Sequence, residues 1–532
     1  MNCLQSFFAL LPSAMLQLPD LFISDNAWLI AGAVTCLSVI GAFVLPQSKN
    51  GPPLPPYPFT LRPWGHFLPS HKSFLTIAGW INQYGPLITL RSGLGKVVII
   101  GRYKAAMDIM ENQGGTLADR PRMIAAGELF GGGLSIAYTP FGDRFRRMRR
   151  ALHTHFQPTA AGAYQPLQMS NAKNLIFDIL DDPCNFQNHV MSYGATVITK
   201  VTYGSNAPTS AADPQVIEMR QLRKLIDRAL RPDAFYLVDS IPWLKHIPWY
   251  GRELKRGFGR SKRLNIGQLN RVKEQMQSDV DIGPSFTRYM LENGDHHGLT
   301  EDETAFLGGS LFRAGTNTTT SVICTVLMAA ACFPDEQVKV QAELDAVIGR
   351  HQAPTFADQQ SLTRLQAFIS EAVRWRPVAP NGFPHRTTKD VIWENHCIPA
   401  GTTVFGNHWS ICRDPEVFPE PEVFKPQRWI DDQGLLRDDL TNFLYGFGRR
   451  VCPGQHVANR TVFISAVLIL WAFQLTLDPT QPLDDMGFMN TEKAHRPFTY
   501  RPCTIDFKTR IPETELRRIM QNYPVAYESD HC

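Results

Sequence analysis

Residues 445–454 read YGFGRRVCPG, a single cysteine, Cys452, wrapped by three glycines, a proline and two arginines. Three roles compete for that thiol. A lone cysteine is by default a small buried hydrophobe. A nucleophile would want a base beside it, and the flanking residues are arginines instead. A thiolate ligand to iron wants glycines, so that backbone amides can approach the sulfur, and cations for an anionic cofactor. Gly446, Gly448, Gly454, Arg449 and Arg450 suit this third role, and an arginine beside the thiolate would lower its pKa.

The stretch resembles the heme-binding loop of the cytochrome P450 family, F-x-x-G-x-R-x-C-x-G. Tyr445 stands in place of the usual phenylalanine, and Gly448, Arg450, Cys452 and Gly454 match. The resemblance implies heme as cofactor, Cys452 as axial ligand of its iron, and Gly448, Arg450 and Gly454 as cofactor-binding positions. Other segments follow in the order the family requires. EAVR, 371–374, matches E-x-x-R; Glu371 and Arg374 share a helix face at i, i+3 and can pair. FKPQRW, 424–429, resembles the segment whose arginine, here Arg428, completes a buried ion-pair cluster with those two. The role implied for the three is structural, because a buried pair needs such extra bonds to offset its desolvation.

AGTNTT, 314–319, resembles the family's oxygen-activation motif, with Thr318 as its alcohol. The preceding residue is usually acidic and here is Asn317, so the expected catalytic arrangement is a water held between Asn317 and Thr318. FGDRFRRMRR, 141–150, resembles the helix with the pattern W-x-x-x-R. Phe145 replaces the tryptophan, which removes an indole N–H from one heme propionate, and Arg149 is the expected propionate partner. His385, in PHRTTKD, falls where the family often has another propionate contact; an ordinary turn histidine is the competing reading. Arg146, Arg147 and Arg150 form a basic face, either simply solvated or a docking patch for an acidic electron donor.

The fold class implied is mainly α with a small β region, the cytochrome P450 fold, preceded by an N-terminal transmembrane helix. Local patterns agree. Thr300 and Glu303 have capping-box spacing before a largely apolar run that Pro334 stops, which predicts a helix over 301–333 of roughly 50 Å. AGTNTTTS, 314–321, is a weak helix former in its middle, and suggests a helix opened beside a ligand. VVII, 97–100, and stretches within 389–406 read as strands.

Residues 27–45 are uncharged and mostly apolar, roughly 28 Å of helix, which suits a membrane anchor. Basic residues after it and aspartates before it place the bulk of the chain on the cytosolic side, so the expected location is the endoplasmic reticulum membrane, single-pass. The expected organisation is an N-terminal segment 1–26, the anchor 27–45, a proline-rich hinge 46–58, and a heme domain 59–532. The hinge contains GPPLPPYP, five prolines in eight residues, which suits a stiff extended spacer. Ten scattered cysteines without C-x-x-C spacing suggest neither a disulfide framework nor a zinc site, and the net charge of +4 gives no reason to expect nucleic acid as a partner.

Together these imply a monooxygenase that uses O2, and NADPH-derived electrons delivered by a cytochrome P450 reductase, on a lipophilic small molecule. Look-alike stretches around 406–429 and 447–460 are similar to fungal microsomal members of secondary metabolism, with terpenoids among their substrates. The expected pocket walls are the stretch after Arg122, Phe312 and Ala314, the loop from Val378 to Phe383, and Phe488. A reductase-independent isomerase or dehydratase, and a non-catalytic heme sensor, are the alternatives. NADPH dependence separates the first, and absence of substrate-dependent NADPH consumption would favour the second.

Overall fold

The capping box forms as the spacing requires: Glu303 N–H donates to the Thr300 hydroxyl at 3.2 Å, and Thr300 N–H donates to the Glu303 carboxylate at 2.9 Å. It opens a helix over Glu301–Cys332, which ends at Phe333 before Pro334 starts the next helix, Pro334–Val347. The computed structural model describes residues 52–524 apart from 61–64, 70–71, 93–94, 206, 231–236, 279–282 and 481–504. The expected anchor, 27–45, and Phe488 lie outside the described residues. Among the described residues no single helix is long and apolar enough to cross a membrane.

The central helix has two halves with different surroundings. From Val322 to Ala331 every residue is buried, packed among helices Gln165–Asp181, Phe186–Tyr203, Thr363–Trp375 and Gln455–Ala472. Each large aliphatic side chain buried there contributes about 1.5–3 kcal/mol, more than the propensity penalty of the threonine run. The opening expected at 314–321 does not occur. Thr316, Thr318, Thr320 and Ser321 each donate a hydroxyl hydrogen bond to the carbonyl four residues back, at 2.8, 2.6, 2.7 and 2.9 Å, and the helix stays closed. Gly315 permits close approach of the neighbouring helix, since a Cβ there would lie 2.5 Å from Ile198.

The β region is small. Strands β1 (Leu87–Ser92), β2 (Gly95–Ile100), β3 (His385–Arg386) and β6 (Thr403–Gly406) form one sheet in the order β1-β2-β6-β3. The β2–β6 pair is parallel and the other two pairs are antiparallel. β4 (Val391–Trp393) pairs with β5 (His396–Ile398), and β7 (Phe473–Leu477) with β8 (Ile505–Thr509). Residues 53–58 lie against this region. Proline has no N–H but keeps its acceptor: Pro53 O accepts from Cys397 N–H at 2.9 Å, and Pro56 O and Pro55 O accept from the N–H and hydroxyl of Thr89, each at 2.8 Å.

Glu371 and Arg374 are completely buried and paired through two 2.8 Å bonds. Arg428 approaches Glu371 at 3.2 Å, and Trp429 Nε1 and Lys425 N–H donate to the same carboxylate at 2.9 and 2.8 Å. Arg374 Nη1 donates to Cys412 O and Pro421 O at 2.9 and 2.8 Å. Every lone pair and donor that burial strips of water is thereby matched, the condition under which such a cluster can exist in a core.

Candidate active site

The Cys452 loop sits just ahead of helix Gln455–Ala472, and its backbone is drawn tight by Cys452 N–H donating to Tyr445 O at 2.9 Å. Gly446 and Gly448 have φ of 79° and 49°, the left-handed region that glycine occupies without strain. A Cβ on Gly448 would meet Gly114 Cα and Met110 O, both at 2.9 Å. Gly448 therefore holds the loop against residues 110–114 and does not line the cavity. Gly454 lines it and directs its N–H at the Cys452 sulfur. The Tyr445 hydroxyl, absent from the usual phenylalanine, donates to Asn459 Oδ1 on the following helix at 2.5 Å.

Cys452 opens onto a cavity of about 450 Å³ between this loop and the N-terminal half of the central helix. Burial pushes its thiol pKa up, more than the Gly454 N–H and the Arg149 guanidinium pull it down. The lowered pKa expected from a neighbouring arginine is thus reversed, because the low-dielectric wall disfavours an unpartnered thiolate.

Arg149, Arg450 and a third arginine, Arg120, line the same cavity. Each is oriented by backbone carbonyls. Arg149 Nη1 donates to Val451 O at 2.8 Å, beside the cysteine, and Arg450 donates to Ala118 O and Thr139 O at 2.6 and 2.8 Å. Arg120 Nε donates to Ala137 O at 3.1 Å, and its Nη1 to Pro384 O. The Arg450 guanidinium also lies 3.6 Å from the Phe145 ring centroid, so the phenylalanine that replaces tryptophan serves as a cation–π support. Burial first, then mutual repulsion, lowers the Arg450 pKa to about 9. Among the described residues no carboxylate lies within ion-pair distance of these three arginines. Asp119, whose charge reaches Arg120 and Arg450, is already bound by Arg386 at 3.0 Å and by Phe141 N–H at 2.8 Å. One buried and two half-buried cations with spare N–H groups call for an anionic partner in the cavity, which suits the two propionates of a heme.

His385 belongs to this cluster. Its Nδ1 donates to Leu117 O at 2.8 Å, leaving Nε2 as the free atom. Burial, then Arg120, lowers its pKa to about 3, so the ring is neutral as it stands; a carboxylate brought to Nε2 would favour the imidazolium that can donate to it. Arg120 was missed in the sequence because ADRPR carries no spacing that marks burial; only the fold brings it to Arg450.

The helix residues divide by angle. Thr318 and Ala314 line the cavity one turn apart. Asn317 does not join Thr318: its Nδ2 donates to Arg313 O at 3.3 Å and lies 3.2 Å from Met219 Sδ. The expected water between the two side chains is therefore not supported by their placement. Phe312 is likewise turned away, buried among Met191, Ile198 and Met219, because two residues of helix rotate it about 200° from Ala314. Phe306, Leu307 and Leu311 form the wall in its stead, with Val378 and Phe383 as expected and Phe130 from the stretch after Arg122.

Comparison with known proteins matches residues 52–497 to the cytochrome P450 family model. Cytochrome P450 monooxygenase 113 of Postia placenta is 43% identical over 487 residues, covering 90% of this chain and 97% of its own length. Cytochrome P450 monooxygenase 64 of the same fungus is 42% identical over 89% of this chain and 94% of its own. A cytochrome P450 monooxygenase of Armillaria gallica is 33% identical over 89% and 93%. With a cavity that joins one cysteine to an unpaired arginine cluster, this chain belongs to the cytochrome P450 family of heme- and O2-dependent monooxygenases.

Proposed function

We propose that this monooxygenase inserts one oxygen atom of O2 into a C–H bond of a lipophilic small molecule, with electrons from NADPH passed on by a reductase. The balance is RH + O2 + 2 e⁻ + 2 H⁺ giving ROH + H2O. The observation that carries this reading is the placing of Cys452 and Thr318 on the wall of one mostly apolar cavity. A heme held there would supply O2 binding and O–O cleavage, chemistry that a thiolate ligand favours. Cys452 would ligate the iron, while Arg120, Arg149, Arg450 and His385 would hold the propionates. The apolar wall from Phe306 to Leu311 excludes water and orients the substrate. The exposed arginines 146 and 150 fit the docking of an acidic electron donor, though Arg146 also pairs with Asp143 at 2.6 Å. Secondary metabolism, a terpenoid skeleton, and attachment to the endoplasmic reticulum through 27–45 complete the proposal.

The full-length chain, co-expressed with a reductase, should consume NADPH in a substrate-dependent way and place one ¹⁸O atom from labelled O2 in the product. Product formed without NADPH would instead indicate an isomerase or dehydratase. No substrate-dependent NADPH consumption across a broad lipophilic panel would sink the reading.

Thr318 lines the cavity with its hydroxyl donated to Ala314 O at 2.6 Å, so its Oγ1 is free to accept a hydrogen bond there, and rotation of the hydroxyl would let it pass a proton into the cavity. Thr318→Ala should leave heme content unchanged but lower product per NADPH by about tenfold or more, the lost electrons leaving as hydrogen peroxide; proton-transfer groups typically contribute about 10²–10⁴-fold. Asn317→Asp should change coupling by less than about twofold, since that side chain faces Met219. Equal coupling in Thr318→Ala and wild type would remove Thr318 from the proton path. Arg120→Gln should release heme to an apomyoglobin acceptor about tenfold faster, the worth of one charge-assisted hydrogen bond. Unchanged release would show that Arg120 serves only the loop it crosses.

A further inference from the structure

The cavity has a second charged region. Arg313, on the central helix one residue before Ala314, lines the wall. Its Nη1 makes only long contacts to neutral oxygens, 3.4 Å to Ser261 Oγ and 3.3 Å to Asn265 Oδ1, and among the described residues no carboxylate lies within ion-pair distance of it. Tyr138 and the pair Arg223–Asp227, bonded at 2.5 Å, line the same cavity, and Tyr138 feels the charges of all three. Arg223 and Asp227 match each other, whereas Arg313, whose charged neighbourhood among the described residues is only the Tyr203 and Tyr138 hydroxyls, is left without a counter-charge. Burial raises the Asp227 pKa, so this end is cationic whether Asp227 is charged or protonated. An arginine keeps its proton in a protein, and an uncompensated buried cation costs several kcal/mol. A substrate that brings an anion would remove that cost, whereas a purely hydrocarbon substrate would leave it standing.

We infer that the substrate is a lipophilic carboxylic acid whose carboxylate is bound by Arg313, with Tyr138 placed to donate a further hydrogen bond. The inference rests on reading the cavity as the substrate chamber of a monooxygenase. Arg313 then acts as a specificity-determining residue, anchoring one end of the molecule while its apolar body lies along Phe306, Leu307 and Leu311.

The test uses ligands that bind whatever the natural substrate is. ω-Imidazolyl alkanoic acids of graded chain length coordinate heme iron through the imidazole and shift the Soret band; their methyl esters do the same without the charge. In the full-length heme-loaded protein, at least one chain length should bind about 10–100-fold more tightly as the acid than as the ester, the range expected of a hydrogen bond to a charged group. Arg313→Gln should abolish that preference and leave ester affinity unchanged, and Arg313→Lys should retain part of it. Esters binding as tightly as acids at every length, or a preference that survives in Arg313→Gln, would overturn the inference. Loss of ester binding together with the acid in Arg313→Gln would reduce Arg313 to a helix-packing residue. A normal thiolate-type CO spectrum and NADPH-dependent oxidation of neutral substrates would show that the monooxygenase reading stands even if the acid preference fails.

Discussion

Cys452→Ala should yield a folded protein that lacks the red-shifted Soret band of a thiolate-ligated heme in its reduced, CO-bound form. Turnover should fall by about a thousandfold or more, because the thiolate that would ligate the iron is removed and not merely weakened. The effect on folding should be small, within about 1 kcal/mol. The loop is held by bonds that alanine keeps, chiefly the Cys452 N–H to Tyr445 O and the Arg149 contact to Val451 O. Far-UV circular dichroism and thermal unfolding check the fold, and the CO difference spectrum checks the ligand. A variant that keeps both the band and the turnover would show that another group ligates the iron.

Arg374→Ala should have the largest effect on stability, about 3–5 kcal/mol, since it leaves the fully buried Glu371 carboxylate short of its main partner and removes the donor to Cys412 O and Pro421 O. Little soluble, heme-loaded protein is expected. Arg374→Lys should be only partly better. A single ammonium group cannot match both Glu371 oxygens and two carbonyls in the planar fork of a guanidinium. The measurement is the half-life of heme-loaded protein on heating, with soluble yield beside it, because a chain of this size need not unfold reversibly. Wild-type half-life in Arg374→Ala would show that the cluster is dispensable and that packing alone supports this part of the core.

Much of the site was legible because its chemistry is local. The Cys452 loop needs its glycines and arginines within ten residues, and Glu371 and Arg374 meet by helical spacing alone. The capping box at Thr300 and Glu303 and the strand at 97–100 likewise depend on neighbours in sequence. Other expectations failed where a position had to be turned into a direction. Asn317 adjoins Thr318 in the chain, yet about 100° of helical rotation carries its carboxamide to Met219. Phe312 was expected beside Ala314 and is packed in the core instead. The threonine run was expected to open the helix, but its hydroxyls bond back to carbonyls within the helix, which runs unbroken into the buried turns that follow.

The sequence by itself determined the family, the glycine- and arginine-rich cysteine loop and the ion-pair cluster, since each rests on residue types at short, rigid spacings. Only the tertiary structure decided which side chains face the cavity and what charge the cavity carries. Arg120, Arg450 and His385 come from three distant segments, as do Tyr138, Asp227 and Arg313. Whether a charge is neutralised depends on burial and on partners far along the chain. Those are properties of a three-dimensional neighbourhood, and no local pattern of residues encodes them.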